Sequence, residues 1–399
     1  MIKNNILLII SIIILNFSIS QTCDGDSNND FIVNVLDIIT AVTHVLEEDI
    51  ISGIAFDNTD LNNDGSIDIL DVIAITSLIL NGANTCEDLD IPLDLSLDWE
   101  IQEDVSYFNY ESLENTLDEL SYLSSFYGMI ILHNGKIVGE RYNNSGGVNV
   151  RYNIWSVTKS YISTLIGQAI DQGYLPNVNT TLSNILSDDY GQDYLTEITL
   201  KNVLTMSTGY YDYYGYPYWF QQSTFNLVNM PYSFPNSFYY NNSACHLSSH
   251  ILYDATGMTP MEFAQDNLFP YLGIENPYWF SGYNGINDGS ASLHLNLREM
   301  IKLGQLYLQG GYSGNEQILS SNYIEDATTF QINTGGFGYG YLWWLDNETY
   351  IAIGLGGQLI AVFPELNLVI GTNSLAYSSQ TYQNQLFNYV LYVIPNLFN

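Results

Sequence analysis

Residues 154–170, IWSVTKSYISTLIGQAI, carry a single charge, Lys159, inside an apolar stretch. The chain has five lysines and three arginines in 399 residues, so a lysine among apolar neighbours needs a reason. After Tyr161, the residues Ile162, Leu165, Ile166, Ala169 and Ile170 keep helical spacing, and Gly173 ends the run. Projecting that face back by one turn puts Trp155 and Lys159 on its buried stripe, with Ser156 one turn from Lys159 on the adjoining edge. The amine and the serine hydroxyl can therefore meet. Burial disfavours the charged form of a lysine, so a neutral amine here can take the hydroxyl proton near neutral pH and leave a nucleophilic oxygen.

Upstream, MIILHNGKIVGERY (129–142) predicts a β-hairpin closed by the two-residue turn Asn134-Gly135. Downstream, PNSFYYNNSACHL (235–247) contains Tyr-x-Asn in two registers, Tyr239 with Asn241 or Tyr240 with Asn242. Ser-x-x-Lys alone arises by chance in most chains of this size. Joined to a later Tyr-x-Asn, it is the pattern of penicillin-binding proteins and β-lactamases, whose serine is the nucleophile. Further stretches extend the likeness in family order: HNGKIVGERY, SVTKSYISTLIGQAIDQGYL, LKNVLTMSTGYYD, FYYNNSACHLSSHIL, LNLREMIKLGQLYLQGGY, YGYLWWL and GLGGQLIAVFPELNLVIGTN. Residues 98–399 thus resemble the β-lactamase-related serine hydrolases, nearest to class C enzymes and their esterase relatives.

That resemblance implies a mixed α/β domain, an antiparallel sheet flanked by helices with a helical subdomain inserted, and an active site between them. It implies Ser156 as nucleophile, Lys159 as its base, Tyr240 as proton shuttle to the leaving group and Asn242 as a polar contact. The Tyr240 register is preferred because Phe238 stands two residues before it, as in the family's Phe-x-Tyr. The third family motif, on a strand lining the cleft, reads Leu355-Gly356-Gly357-Gln358 here. Two glycines let that backbone approach an acyl group, and the amides of Gln358 and Ser156 would form the oxyanion hole. Leu355 stands where β-lactamases carry a cation, which disfavours anionic substrates and favours uncharged short-chain acyl esters, as in an esterase-like member of the family. The implied function is a secreted serine hydrolase acting through an acyl-enzyme, with no catalytic cofactor. Alternatives are a true β-lactamase, a D-alanyl-D-alanine peptidase, or a non-catalytic binding protein on this fold. No Gly-x-Ser-x-Gly elbow is present, which disfavours an α/β-hydrolase.

Other features of this domain carry less chemistry. The run YYDYYGYPYWF (210–220) is read either as an aromatic wall of the cleft or as a packed loop. His133, His246, His250 and His294 lack metal-ligand spacing and are expected at the surface or satisfied in the core. Arg298, Glu299 and Lys302 fall on the polar side of an amphipathic helix and are expected to be solvated.

Toward the N-terminus, DSNNDFIVNVLDIITAV (26–42) recurs thirty-four residues later as DLNNDGSIDILDVIAIT (60–76). Each is an oxygen-rich loop running into an apolar helix. In the second, Asp60, Asn62, Asp64, Asp68 and Asp71 fall at loop positions 1, 3, 5, 9 and 12, with the Ser66 carbonyl at 7 and Gly65 at the sharp turn. The first offers Asp26, Asn28, Asp30, Asn34 and Asp37 in the same spacing, with Phe31 at the turn. Such a shell suits a hard divalent cation. The paired repeat resembles a type I dockerin, a small all-helical module, which implies calcium in each loop and a cohesin as partner.

The expected organisation is a secretory signal at 1–20, the dockerin-like module at 21–86, a polar, acidic linker at 87–97 and the hydrolase domain at 98–399. The opening MIKNNILLIISIIILNFSIS has one basic residue and an apolar run shorter than the ~20 residues of a membrane span. Export permits disulfides, so Cys23 and Cys86, which flank one segment, are expected to pair, leaving Cys245 as a buried small hydrophobe. The formal charge of -35 argues against nucleic acid or anionic lipid as a partner.

Overall fold

Each repeated loop runs into a helix, as the spacing predicts: Val35–Val45 (α1) after the first and Ile69–Leu80 (α3) after the second, with the short Ile54–Thr59 (α2) between. The cause is local at α1, where the Asn34 side chain accepts from the Leu36 amide while the Asp37 carboxylate accepts from the Asn34 amide. α1 and α3 pack together around Cys23, Val33, Ala41, Val72 and Ile75. The computed structural model describes residues 23–28, 33–46, 50–51, 54–62, 64–80, 92–186, 193–233 and 235–398. The expected signal at 1–20, the loop residues Asp30 and Phe31, and Cys86 with its expected pairing to Cys23 lie outside them. Among the described residues no helix is long and apolar enough to cross a membrane.

The chain divides into two units, Met1–Ile91 and Pro92–Asn399. The second therefore starts earlier than Asp98, where the sequence suggested. Leu95 is 1% exposed in its core, and its amide donates to Ser313 Oγ. The segment looked like linker because its acidic residues mask one buried leucine, Leu95.

In this unit Tyr110–Ser121 (α4) precedes the strands Phe126–His133 (β1) and Lys136–Tyr142 (β2). Asn134 and Gly135 take φ of 50° and 71°, so the predicted hairpin closes with both turn residues left-handed. The helices Thr158–Asp171 (α5), Asn242–Thr256 (α6) and Leu297–Leu308 (α7) follow. Then come the strands Ile332–Asn333 (β3), Gly338–Tyr339 (β4), Trp344–Asp346 (β5), Thr349–Gly354 (β6), Gln358–Phe363 (β7) and Leu368–Ser374 (β8), and the helix Gln380–Asn388 (α8). The strands form one antiparallel sheet in the order β2-β1-β8-β7-β6-β5-β4-β3. Alternation along β7 shows why both faces are covered. Leu359 and Ala361 join Leu113 and Leu117 of α4 and Leu386 of α8 on one side, while Ile360 and Val362 join Met300 and Ile301 of α7 on the other. Beyond α5, a helical layer gathers around α6 from Leu200–Leu204, Thr224–Val228 and Pro260–Asn267. This is the β-lactamase/transpeptidase-like arrangement that the resemblance implied.

One expectation needs correction here. Glu299 and Lys302 are 9% and 6% exposed, not solvated. Glu299 pairs with Arg151, Arg298 with Glu140, and Lys302 Nζ donates to the Leu97 carbonyl at 2.9 Å. The polar side of α7 meets other protein because the N-terminal segment of this unit runs over it. Periodicity along one helix cannot report such a neighbour.

Candidate active site and cation loops

α5 is entered through a short 3-10 turn, Trp155–Val157, that holds Ser156. Residues 158–169 of α5 are buried on every side, a wider burial than the apolar stripe of the sequence suggested. Trp155 departs from that stripe: it has φ of 49° and is half-buried, its ring 5.6 Å from Tyr216 and 5.8 Å from Tyr377.

Lys159 is 2% exposed, and its amine reaches three oxygens: Ser156 Oγ at 3.1 Å, Asn242 Oδ1 at 2.8 Å and the Ser290 carbonyl at 2.7 Å. Two of these are amide carbonyl oxygens that can only accept. A neutral amine directs its two N–H bonds to them and turns its lone pair to the Ser156 hydroxyl. An ammonium donates to all three. The same geometry thus satisfies the lysine as amine or as ammonium.

The two tyrosine registers separate in space. Tyr240 stacks on Trp344 at 5.9 Å, with Lys159 Nζ 5.0 Å from its ring centroid, and Asn242 contacts the lysine. Tyr239 is 48% exposed and packs against Tyr211. Asn241 is buried and caps α6, accepting from the Ala244 amide and donating to the Tyr210 carbonyl, both at 2.9 Å. Ser156, Lys159, Tyr240 and Asn242 therefore stand together.

The third motif forms the turn between β6 and β7. Gly356 and Gly357 have φ of 86° and 110°, which only glycine adopts without strain. A Cβ on Gly354 would lie 2.5 Å from the Ile154 carbonyl oxygen, so the end of β6 backs directly onto the serine turn. Gln358 is buried and its side chain donates to the Ser374 carbonyl at 2.6 Å. Leu355 is 37% exposed.

Two neighbours of the lysine escaped the sequence reading. The Ser290 carbonyl has no side-chain signature. Asp288, fully buried, accepts on Oδ1 from the Ser290 amide and the Trp219 indole, both at 2.9 Å. Burial pushes its carboxyl up to about 6 against the pull of those donors and of Lys159. Trp219 belongs to the tyrosine-rich loop, in which Tyr210 is core while Tyr211, Tyr213, Tyr216 and Tyr218 are exposed.

His246 and His250 are satisfied core residues. The Gly289 amide donates to His246 Nδ1, which puts the proton on Nε2; this faces His250 Nε2 at 3.3 Å, and His250 Nδ1 meets Thr224 Oγ1 at 2.8 Å. Burial holds both imidazoles below their usual range, so the 4.0 Å approach of His246 to Asp288 is not an ion pair at neutral pH.

Every lysine and arginine among the described residues has a named partner. Lys136 meets Glu100, Arg141 meets Glu114 and Asp118, Arg151 meets Glu299, and Arg298 meets Glu140. Lys201 lies over Tyr341, Lys302 over Trp99, and Lys159 is held as described.

In the N-terminal unit the two loops are built alike. Asp71 accepts on Oδ1 from the Leu61 and Asn62 amides and on Oδ2 from Asp68, and Asp37 does the same with Ser27, Asn28 and Asn34. Asp60 accepts from the Asp64 and Gly65 amides, and Asp64 accepts from Ser66. Asp26, Asp37, Asp60 and Asp71 are all less than 9% exposed, yet no lysine or arginine occurs between Lys3 and Lys136. Among the described residues no three acidic, thiol or imidazole groups already converge on one point. The donor set is all oxygen and carries net negative charge, which fits a hard divalent cation.

A family model described as Beta-lactamase matches residues 124–386, and one described as Dockerin type I domain matches residues 24–80. No curated protein matches the chain. Among solved structures, a protein assigned as a 6-aminohexanoate-dimer hydrolase from Bacillus anthracis superposes with a TM-score of 0.63 at 19% identity, covering 77% of this chain and 90% of its own. A protein assigned as a β-lactamase from Bacteroides dorei gives 0.63 at 15% identity, covering 72% and 99%. EstCE1, described as a hydrolase with promiscuous acyltransferase activity, gives 0.58 at 15% identity, covering 70% and 99%. These likenesses establish the fold.

Asn241→Ala should lower the unfolding free energy by about 1–3 kcal/mol, since it removes an α6 cap and a buried hydrogen bond to the Tyr210 carbonyl. An unchanged denaturant midpoint would show that Asn241 is not the structural member of the pair.

Proposed function

Because the chain belongs to the β-lactamase family and carries a type I dockerin module, we propose that it is a secreted serine hydrolase acting through an acyl-enzyme on uncharged esters or amides. The observation that carries this reading is the contact set of Lys159. Ser156 Oγ attacks the acyl carbon while its proton passes to Lys159 Nζ, and the resulting ammonium keeps the acceptors Asn242 Oδ1 and Ser290 O. Tyr240 delivers a proton to the leaving group, and water later releases the acyl group by the reverse relay. The amides of Ser156 and Gln358 hold the oxyanion, beside a turn whose glycines permit close approach.

The substrate class follows from charge. Leu355 offers no cation at the third motif, and apart from Lys159 the described lysines and arginines are engaged elsewhere. A β-lactam or D-alanyl-D-alanine substrate brings a carboxylate that would go without a partner. Losing one charge-assisted hydrogen bond costs about 1.5–3 kcal/mol, roughly a ten- to hundredfold loss.

Residues 1–20 supply the export signal in this reading, in keeping with the occurrence of dockerin modules in extracellular proteins, and Cys23 pairs with Cys86. Calcium would be held by Asp60, Asn62, Asp64, the Ser66 carbonyl, Asp68 and Asp71, and by Asp26, Asn28, Asp30, Asn34 and Asp37. It would supply the positive charge that the buried carboxylates lack. A cohesin is the partner this module implies. Val35, Leu36 and Ile39 on α1, and Ile69, Leu70 and Ile73 on α3, are all more than half exposed, which supports a docking role.

A fluorophosphonate probe should label Ser156; absence of labelling would favour a non-catalytic binding protein. Ser156→Ala and Lys159→Ala should each abolish turnover, and Tyr240→Phe should slow it far more than Tyr239→Phe does. At equal ionic strength, kcat/KM for a short-chain nitrophenyl ester should greatly exceed that for a cephalosporin. Efficient cephalosporin turnover would return true β-lactamase to first place. Chelation with EDTA should strip hydrogen-exchange protection from α1 and α3 while sparing the sheet; equal protection with and without calcium would refute the metal assignment.

A further inference from the structure

Asp288 lies outside the Ser-Lys-Tyr constellation, yet its carboxylate touches two parts of the chain that flank Ser156. On one side it accepts from the Ser290 amide. The Ser290 carbonyl then receives Lys159 Nζ at 2.7 Å, and the Ser290 hydroxyl donates to the Asn242 carbonyl. On the other side it accepts from the indole of Trp219. Trp219 packs on Tyr216 at 5.3 Å, and Tyr216 packs on Trp155, the neighbour of the serine. The Asp288 backbone is fixed as well, its carbonyl accepting from the Trp279 indole at 2.8 Å.

We propose that Asp288 is the positioning residue of this site: it aims the lysine's carbonyl acceptor, anchors the aromatic arm of the cleft, and lends its charge to the ammonium formed on Lys159. Geometry alone would not require a carboxylate. Asparagine has the same shape and accepts the same two hydrogen bonds, without the large cost of burying an anion. What the anion adds is charge, and the groups around it decide where that charge acts. Facing Asp288 are Lys159 from α5, Cys245 and His246 from α6, with His250 against His246, and Tyr216 with Trp219 from the tyrosine-rich loop. Both histidines are neutral, the cysteine is held protonated by burial, and only the lysine can be positive. When Ser156 gives its proton to Lys159, the new ammonium finds a buried counter-charge one carbonyl away.

The inference rests on the hydrolase reading above, and the full chain tests it with a neutral nitrophenyl ester, by kcat and KM against pH. Wild-type kcat should fall as pH drops through about 6, because protonation there removes the Asp288 charge. Asp288→Asn keeps the shape, so its plateau kcat should drop about ten- to hundredfold with KM little changed, and its profile should lack that step. Trp219→Phe should instead raise KM and keep the step, since it frees the cleft wall and leaves the charge. An Asp288→Asn enzyme with wild-type kcat overturns the proposal, and so does a reduced kcat with the step retained, which marks a purely structural residue. If Asp288→Asn does not fold, the wild-type profile decides: no step near 6 overturns the assignment. Failure of Ser156 to react with fluorophosphonate in the wild type would instead remove the hydrolase reading, and this inference with it.

Discussion

A lysine that is 2% exposed must find hydrogen-bond acceptors inside the protein, and this constraint organises the large unit. The three acceptors of Lys159 come from three separate places in the chain: the turn before its own helix, the first residue of α6, and the loop that leads toward α7. Holding them within 3.1 Å of one nitrogen fixes the helical layer against α5. The end of β6 closes the same arrangement from the sheet side, where a glycine is required because the Ile154 carbonyl leaves no room for a Cβ. Burial of one amine and construction of the cleft are therefore a single packing problem.

What was legible in the sequence was local. Asn134-Gly135 specifies a left-handed pair of turn residues whatever surrounds it, and the loop repeat specifies equivalent hydrogen bonds at Asp37 and Asp71. Ser156 and Lys159 could be brought together because three residues along a helical turn leave little freedom. The Tyr-x-Asn register was decided by a family habit, yet the structural difference is plain: Asn241 caps the helix, Asn242 faces the lysine.

What was not legible depends on contacts between distant segments. A backbone carbonyl such as that of Ser290 has no residue identity to read. Asp288 stands in a glycine- and serine-rich stretch that gives no sign of a fully buried carboxylate. The polar face of α7 looked solvated because Arg151, Glu140 and Leu97, which cover it, lie 148, 158 and 205 residues away. Leu95 looked like linker for the same reason, its partner Ser313 being 218 residues distant.

Charge economy ties these pieces together. With a formal charge of -35, each cation in the large unit stands among many competing carboxylates, and each has a structural partner. A buried pair is strongly destabilised when one partner is lost, so cations committed to Glu140 or Glu299 are not free to move toward a substrate. Lys159 differs from them in kind. Its contacts are neutral oxygens, so it can gain or lose a proton without breaking an ion pair in direct contact. On the proposed hydrolase reading, a site with no spare cation and an aromatic rim would select against charge on the substrate through what the rest of the protein has already used.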